Sequence, residues 1–453
     1  MYIKNKIQQQ HNGIIIMMPI VIMVLIVLGM KNMYFSFLAL LGCVIYMILS
    51  DENEYIMFLF FLMPIAHIFK MSSGGTSFFT FIELLFVIYH FIRTKGFIRY
   101  EHVLSIIFIV YIIICECITL SVDTLRTIKF FLNLILLTIF VESGPQKESD
   151  KLFIHFILGF IVSGLIGQFG SLFFPVDQYV GTTIERSADG EITRFAGLYT
   201  DPNYFSVNLI ICACLSVFLY HRRRICLTVF LVFIGFIVYF IGNTGSKSAL
   251  LMLALPAFSY TWLQIKNKNT FGFISTCILL IIGIYLISLG RVSLFDNTIG
   301  RINATYKKGL DRLTTGRYNI WLEYLAYFMN NPRFLLIGKG VGIYLLNGKA
   351  PHNTYIDLLY QLGLVGSIVY IKILVSVFKC NRMMHKRNLT NYSICVCLLI
   401  MYFFLSQLQS FDLPFQLALA VLCINLDLNK QKDEKEDQNI CEREQYCRYV
   451  KNK

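Results

Sequence analysis

Charge is scarce in this chain. Of its 453 residues only 15% are Asp, Glu, Lys or Arg, against about 25% in ordinary soluble domains, and that shortage excludes a water-facing surface over most of the molecule. A cleavage site is also missing. Lys4 and Lys6 precede the first apolar run as in a signal peptide, but no small-residue site follows and a second run comes at once, so the first reads as a retained helix. The polar loops hold no His/Asp/Glu cluster at metal-ligand spacing, because Asp201, Asp311 and Asp357 are scattered. The thirteen cysteines lie mainly in apolar runs, where thiols act as small hydrophobes. Their C-x-C pairs (Cys115/Cys117, Cys212/Cys214, Cys395/Cys397) would point to nearly opposite helix faces. No metal and no cofactor is expected. "GKGVG" at 338–342 lacks the preceding strand and soluble α/β domain that a Rossmann or P-loop site needs, which excludes nucleotide binding there and leaves a flexible turn.

What the chain has is hydrophobic length. Apolar residues make up 56% of it, and its mean hydropathy is +0.63. Runs of about 15–25 such residues recur, each able to cross a hydrocarbon core of about 30 Å as a helix. About fourteen are expected, at 14–29, 34–49, 55–69, 77–92, 103–120, 127–141, 152–174, 203–220, 225–241, 248–265, 271–290, 353–378, 391–409 and 412–427. The fold class is therefore an all-α polytopic membrane protein, with a transmembrane domain over 1–429 and a charged cytoplasmic tail over 430–453.

Lys and Arg mark alternate loops, and such loops resist export. Arg93, Lys95 and Arg99 mark one, Arg222 to Arg224 a second, Lys266 and Lys268 a third, and Lys379, Arg382, Lys386 and Arg387 a fourth. They share the cytoplasmic side with both termini. The net charge of +13 is then mostly topological, and nucleic acid is not an expected partner.

Two exterior loops are long, 174–202 and 290–352, and long segments of this kind are more often functional than filler. The first ends "TRFAGLYTDPN", with Asp201 and Pro202 suited to N-cap and first turn of a helix. Arg194 beside it reads either as a snorkelling arginine or as a ligand for an anion. A short exterior turn, "GNTGSKSALL", offers Ser246, Lys247 and Ser248 at a helix start, where anions bind readily, or is a plain turn. The second long loop carries "TTGRYNIWLEYLAYFMNNP", in which Tyr318, Trp321, Leu325 and Phe328 recur at helical spacing and predict an amphipathic helix lying on the membrane, with Arg317 at its start. It closes with Pro351, His352 and Asn353. Within the spans, Glu83 and Glu116 read as proton-coupling groups or as packing hydrogen bonds, and Arg126 and Lys129 as snorkelling anchors.

Taken in order, "RFAGLYTDPN", "TGSKSALL", "GRYNIW" with "FLLIGKGVG", and "PHNTYIDLLYQLGLVG" resemble the blocks of the O-antigen ligase and polymerase (Wzy-type) superfamily, over roughly 190–370. That resemblance implies a GT-C-like membrane glycan transferase in the bacterial cytoplasmic membrane. It takes an undecaprenyl-pyrophosphate-linked oligosaccharide as donor and acceptor, with a flippase and a chain-length regulator as further partners. His352, Arg194 and Arg317 would be catalytic, while Lys247, Ser246, Asn353 and Trp321 would bind substrate. Lys247 stands where many members have arginine, so a bidentate grip on phosphate is replaced there by a point charge. The favoured reaction is polymerisation of repeat units for O-antigen, capsule or exopolysaccharide. Ligation to a lipid A core is an alternative, and so is a flippase or transporter of lipid-linked sugar, although such carriers usually show repeat halves and no convincing repeat is present.

Overall fold

A computed structural model describes residues 17–424 except 73–74, 95–99, 121–122, 144–147, 181–182, 188–189, most of 271–315, 343–344, 380–388, 407 and 409. The expected run at 271–290, the first part of the second long loop and the tail at 430–453 lie wholly or largely outside the described residues.

The described chain is almost entirely helical. In order the elements are α1 (Met17–Gly29), α2 (Met33–Leu49), α3 (Glu52–Leu62), α4 (Phe78–Arg93), α5 (Tyr100–Thr119), α6 (Thr124–Glu142), α7 (Ser149–Phe169), α8 (Val176–Val180), β1 (Thr183–Ser187) and β2 (Gly190–Arg194). They continue with α9 (Pro202–His221), α10 (Leu227–Thr244), α11 (Lys247–Met252), α12 (Ala254–Lys266), α13 (Arg317–Asn330), α14 (Pro332–Ile337), α15 (Thr354–Lys379), α16 (Leu389–Phe404) and α17 (Leu413–Ile424). Among the described residues six apolar stretches are long enough to cross a membrane: Thr124–Glu142, Ser149–Leu172, Pro202–His221, Leu227–Thr244, Lys247–Lys266 and Thr354–Phe378. The remaining apolar helices are shorter. The chain is an all-α membrane protein with one small hairpin, β1 pairing antiparallel with β2 from Thr183↔Arg194 to Ser187↔Gly190. The first long loop holds α8 and this hairpin.

α9 is the central helix. Its residues from Phe205 to Leu219 are all buried, as befits a helix apolar on every face. α7, α10, α12 and α16 pack around it, and aromatic rings fill the adjoining core: Phe60 of α3 lies 4.8 Å from Phe415 of α17 and 5.1 Å from Phe140 of α6, centroid to centroid. The outer faces are apolar too. On α5, Ile106, Ile107, Val110, Ile113, Ile114 and Ile118 are all exposed, a surface that suits lipid and not water.

The polar loops gather by end. At one end of the bundle Arg224 meets Asp150 at 2.7 Å and His90 meets Glu52 at 2.7 Å. At the other, Phe195 N–H donates to Asn243 O, Arg317 to Phe404 O, and Trp321 to Pro351 O, joining both long loops to the turn before α11 and to the end of α16.

α15 breaks at Gly363, where φ is 64° and ψ −176°. The break frees the carbonyls of Tyr360 and Gln361, and these accept from Lys339 N (3.0 Å) and Gly340 N (2.8 Å). Tyr111 of α5 donates to Ile337 O and Leu362 O on either side of that contact. A Cβ on Gly363 would lie 2.3 Å from Gly338 N, so the two backbones meet only because both residues are glycine. The segment "GKGVG" was expected to be a flexible turn. It is a braced one instead, since unsatisfied backbone groups inside an apolar bundle need partners. Glu116 accepts from Gly342 N at 3.0 Å and from Thr127, Thr119 donates to Lys339 O, and Arg126 donates to Gly342 O at 3.1 Å.

Candidate functional site

His352 sits one residue before the cap of α15, and its backbone is left-handed, with φ of 46°. Among the described residues few non-glycine positions share that geometry, and a bulky residue there stores strain. The turn is held from both sides. Trp321 Nε1 donates to Pro351 O at 2.8 Å while its ring packs edge-on against Phe403, and Tyr324 OH donates to Lys349 O at 2.9 Å. Asn353 Oδ1 accepts from the backbone N–H groups of Tyr355 and Ile356, so this side chain is the N-cap of α15. Asn353 is 2% exposed, and both it and Trp321 orient His352 by these contacts.

Burial pushes the His352 imidazole below its ordinary pKa, the Arg317 guanidinium pushes the same way, and Asp201 opposes them. The ring is therefore neutral at neutral pH and able to take a proton. No hydrogen bond joins its nitrogens to other described residues, which leaves them available to a ligand.

Arg317 opens α13 and donates from Nη1 to Phe404 O at 2.8 Å. The predicted amphipathic helix is present but its face divides. Trp321, Tyr324 and Phe328 turn towards the protein, whereas Tyr318, Leu322, Leu325 and Met329 are exposed. Packing on α15 claims one stripe, and the other stays apolar and outward.

Arg194 ends β2 and reaches the start of α9. Its Nε donates to Thr244 O at 2.9 Å and its Nη2 to Asn203 Oδ1 at 3.0 Å. Ser246 donates to the same Asn203 oxygen at 3.1 Å and caps α11 through Ala249 N, and Lys247 follows, half-buried, as the first residue of that helix. Asp201 Oδ1 accepts from Asn203 N at 2.7 Å, the N-cap read from the sequence. Arg194 and Ser246 thus converge on Asn203, with Lys247 next along the chain, beside the Asp201 whose charge reaches His352. Arg317 joins through His352 itself. Asn203 was not singled out from the sequence, and its position after Asp-Pro at a helix start was the available signal.

A cavity of about 290 Å³ opens below His352. His67, Tyr199, Tyr204, Asp357, Gln361, Ser406 and Asp412 contribute its polar lining, with Phe411 and Ala350 among its apolar walls. Of the aspartates read as scattered, Asp201 does not line the cavity and Asp311 lies outside the described residues. Asp357, five residues past His352 and one turn into α15, faces the same space as Asp412 at the head of α17, because the helices converge there. Gln361 Nε2 donates to Asp357 Oδ1, and Asp412 accepts from Asn208 Nδ2 at 2.9 Å and from Tyr199 OH at 3.3 Å. Neither Arg194 nor Arg317 lines the cavity. Among the described residues no group of three His, Cys, Asp or Glu side chains is arranged to hold a metal ion.

The other ionisable groups divide. Glu116 is a packing group, since it accepts from Thr127 and Gly342. Arg126 pairs with Asp123 at 3.2 Å and braces the Gly342 carbonyl. Glu83 is buried within α4 with one carboxylate oxygen lacking a hydrogen-bond partner, and Asp412 and Lys129 are the charges that act on it.

No family model matches the chain, and neither the curated proteins nor the solved structures contain one similar to it.

Proposed function

We propose that this protein is a metal-independent glycosyltransferase that polymerises lipid-linked repeat units at the outer face of a bacterial cytoplasmic membrane. The reading includes fourteen spans and both termini in the cytoplasm. The observation that carries it is the neutral His352, held in a left-handed turn at the mouth of a cavity that Asp357, Gln361 and Asp412 help to line, with Arg317 beside it and Arg194 at the neighbouring start of α9.

A sugar hydroxyl is a poor nucleophile, and a polyprenyl pyrophosphate leaves well only if its charge is stabilised. His352 removes the acceptor proton as the acceptor oxygen bonds to the donor's anomeric carbon. The bond from that carbon to the pyrophosphate oxygen breaks, the lipid pyrophosphate departs, and the configuration inverts. Arg194 and Arg317 hold the phosphates through charge-assisted hydrogen bonds, with Lys247 and Ser246 adjoining. Asn353 and Trp321 keep His352 in place.

Ligation of finished glycan to another acceptor would use the same groups. A transporter of lipid-linked sugar has a separate observation in its favour, the buried Glu83 and Asp412 with the half-buried Lys129 acting on Glu83, since interior ionisable groups often couple ion movement. One experiment distinguishes the three. In cells with matched expression, His352→Ala should leave single repeat units on the outer-leaflet carrier and no ladder of longer glycan. A ligase variant would instead accumulate long polymer on the carrier, and a transporter variant would trap units on the cytoplasmic leaflet. A normal ladder would remove His352 from the mechanism.

A further inference from the structure

We infer that the cavity below His352 is a subsite for one neutral pyranose ring of the acceptor glycan, read by Asp357, Gln361 and His67. The inference rests on the transferase reading for the word acceptor, although the sugar chemistry of the cavity stands on its own geometry.

Charge is the first argument. Asp357 and Asp412 both line the space, and among the described residues neither is in an ion pair. A cavity with two carboxyl groups and no arginine or lysine in its wall offers pyrophosphate no cationic partner, while Arg194 and Arg317 lie outside it. Hydroxyl groups suit it. A carboxyl group can bond two of them, and the amide of Gln361, which bonds Asp357, lies in the same wall and holds that carboxyl in place. Gln361 is 1% exposed and Asp357 4%, so these groups are built into the wall and are not a solvated patch.

A second observation points to a ligand. His67 lines the cavity, and its Nε2 is buried with no hydrogen-bond partner among the described residues. A buried imidazole nitrogen left unpaired is costly unless a ligand or water satisfies it. The His67 ring packs 4.7 Å from Tyr199 and 5.0 Å from Phe411, centroid to centroid. Such an aromatic wall offers a face to the C–H side of a sugar while the carboxyl and amide groups meet its hydroxyls.

Size and position complete the argument. About 290 Å³ is at the lower end of small-molecule pockets and takes one sugar ring, not an oligosaccharide. His352 lines the cavity and the phosphate-binding arginines do not, so a ring seated here presents its hydroxyl to the base. A donor sugar must sit against its own pyrophosphate, nearer the arginines. Filling the cavity with a sugar also displaces water that would otherwise hydrolyse the donor.

The test uses the full-length protein in nanodiscs, with methyl pyranosides of common neutral hexoses and N-acetylhexosamines as one probe and inorganic pyrophosphate as the other. Losing a hydrogen bond to a charged group costs at least about tenfold in affinity, so Asp357→Asn should weaken glycoside binding by about that factor and leave pyrophosphate binding unchanged. Gln361→Ala should do the same and guards against a misfolded first variant, while Arg194→Ala should show the opposite pattern. In transfer assays with a lipid-free oligosaccharide acceptor, Asp357→Asn should raise KM for acceptor and not for donor. Glycoside binding that depends on Asp357 in a protein that transfers nothing would keep the sugar subsite and end the transferase reading. The inference itself falls if the parent protein binds no methyl pyranoside, if Asp357→Asn and Gln361→Ala leave that binding intact, or if Asp357→Asn abolishes binding of a divalent cation that competes with the sugar.

Discussion

Replacing His352 needs care, because the residue supplies both a base and a backbone conformation. At φ of 46° a side chain with a Cβ bears a cost of roughly 1–2 kcal/mol, which asparagine tolerates better than most and glycine hardly feels. His352→Asn and His352→Gly therefore separate the two roles. If the imidazole is the general base, both should lower the transfer rate by about 10²- to 10⁴-fold, equivalent to about 2.7–5.4 kcal/mol of transition-state stabilisation. Stability should move the other way. His352→Gly should unfold at the same or a slightly higher temperature than the parent, since it removes strain and the ring makes no hydrogen bond to the described residues. The assay is single-turnover transfer from a polyprenyl-pyrophosphate donor in nanodiscs, paired with thermal unfolding of the same preparations. A His352→Asn protein that transfers at the parental rate would refute the base. A His352→Gly protein that is both slow and much less stable would show that His352 works by packing.

The remaining expectations are shorter. His352 lies below its ordinary pKa, so the acid limb of the rate profile should fall below about pH 6.5, with activity lost as pH drops through that limb and the ring gains a proton. Residual activity in Arg317→Ala should show the limb moved to higher pH, because a repelling cation is gone, and Asp201→Asn should move it lower; no movement in either would separate those charges from His352. Gly363→Ala forces a Cβ against Gly338 N, and at that glycine-only backbone geometry it should cost about 1–3 kcal/mol, read as a lower unfolding temperature and loss of the "GKGVG" brace; an unchanged midpoint would mean the kink carries no constraint. Reporter fusions at Ser187 and Gly348 should signal outside and those at Arg223 and Lys386 inside, since basic loops stay in the cytoplasm, and a cytoplasmic signal at Gly348 would put His352 in the wrong compartment for the flipped donor.

Composition and periodicity were sufficient for the membrane class and for helix positions. An apolar run of spanning length needs its own backbone hydrogen bonds, so each expected run with described residues contains a helix. Local rules also placed the caps. Asp201 and Pro202 start α9 as their residue types require, and α13 begins near the Gly316-Arg317 step. Tertiary structure decided what these elements face. "GKGVG" carries glycine in its sequence but not the partner that makes glycine necessary, because the opposing backbone at Gly363 is more than twenty residues away. The outward half of α13 and the inward half have the same polarity, so only packing on α15 could divide them. Asp357, Asp412 and His67 look unrelated along the chain, each a single polar residue near the end of an apolar run. They share a cavity because α15, α17 and the turn after α3 converge at one end of the bundle, and convergence is a property of helix crossing that no local pattern encodes.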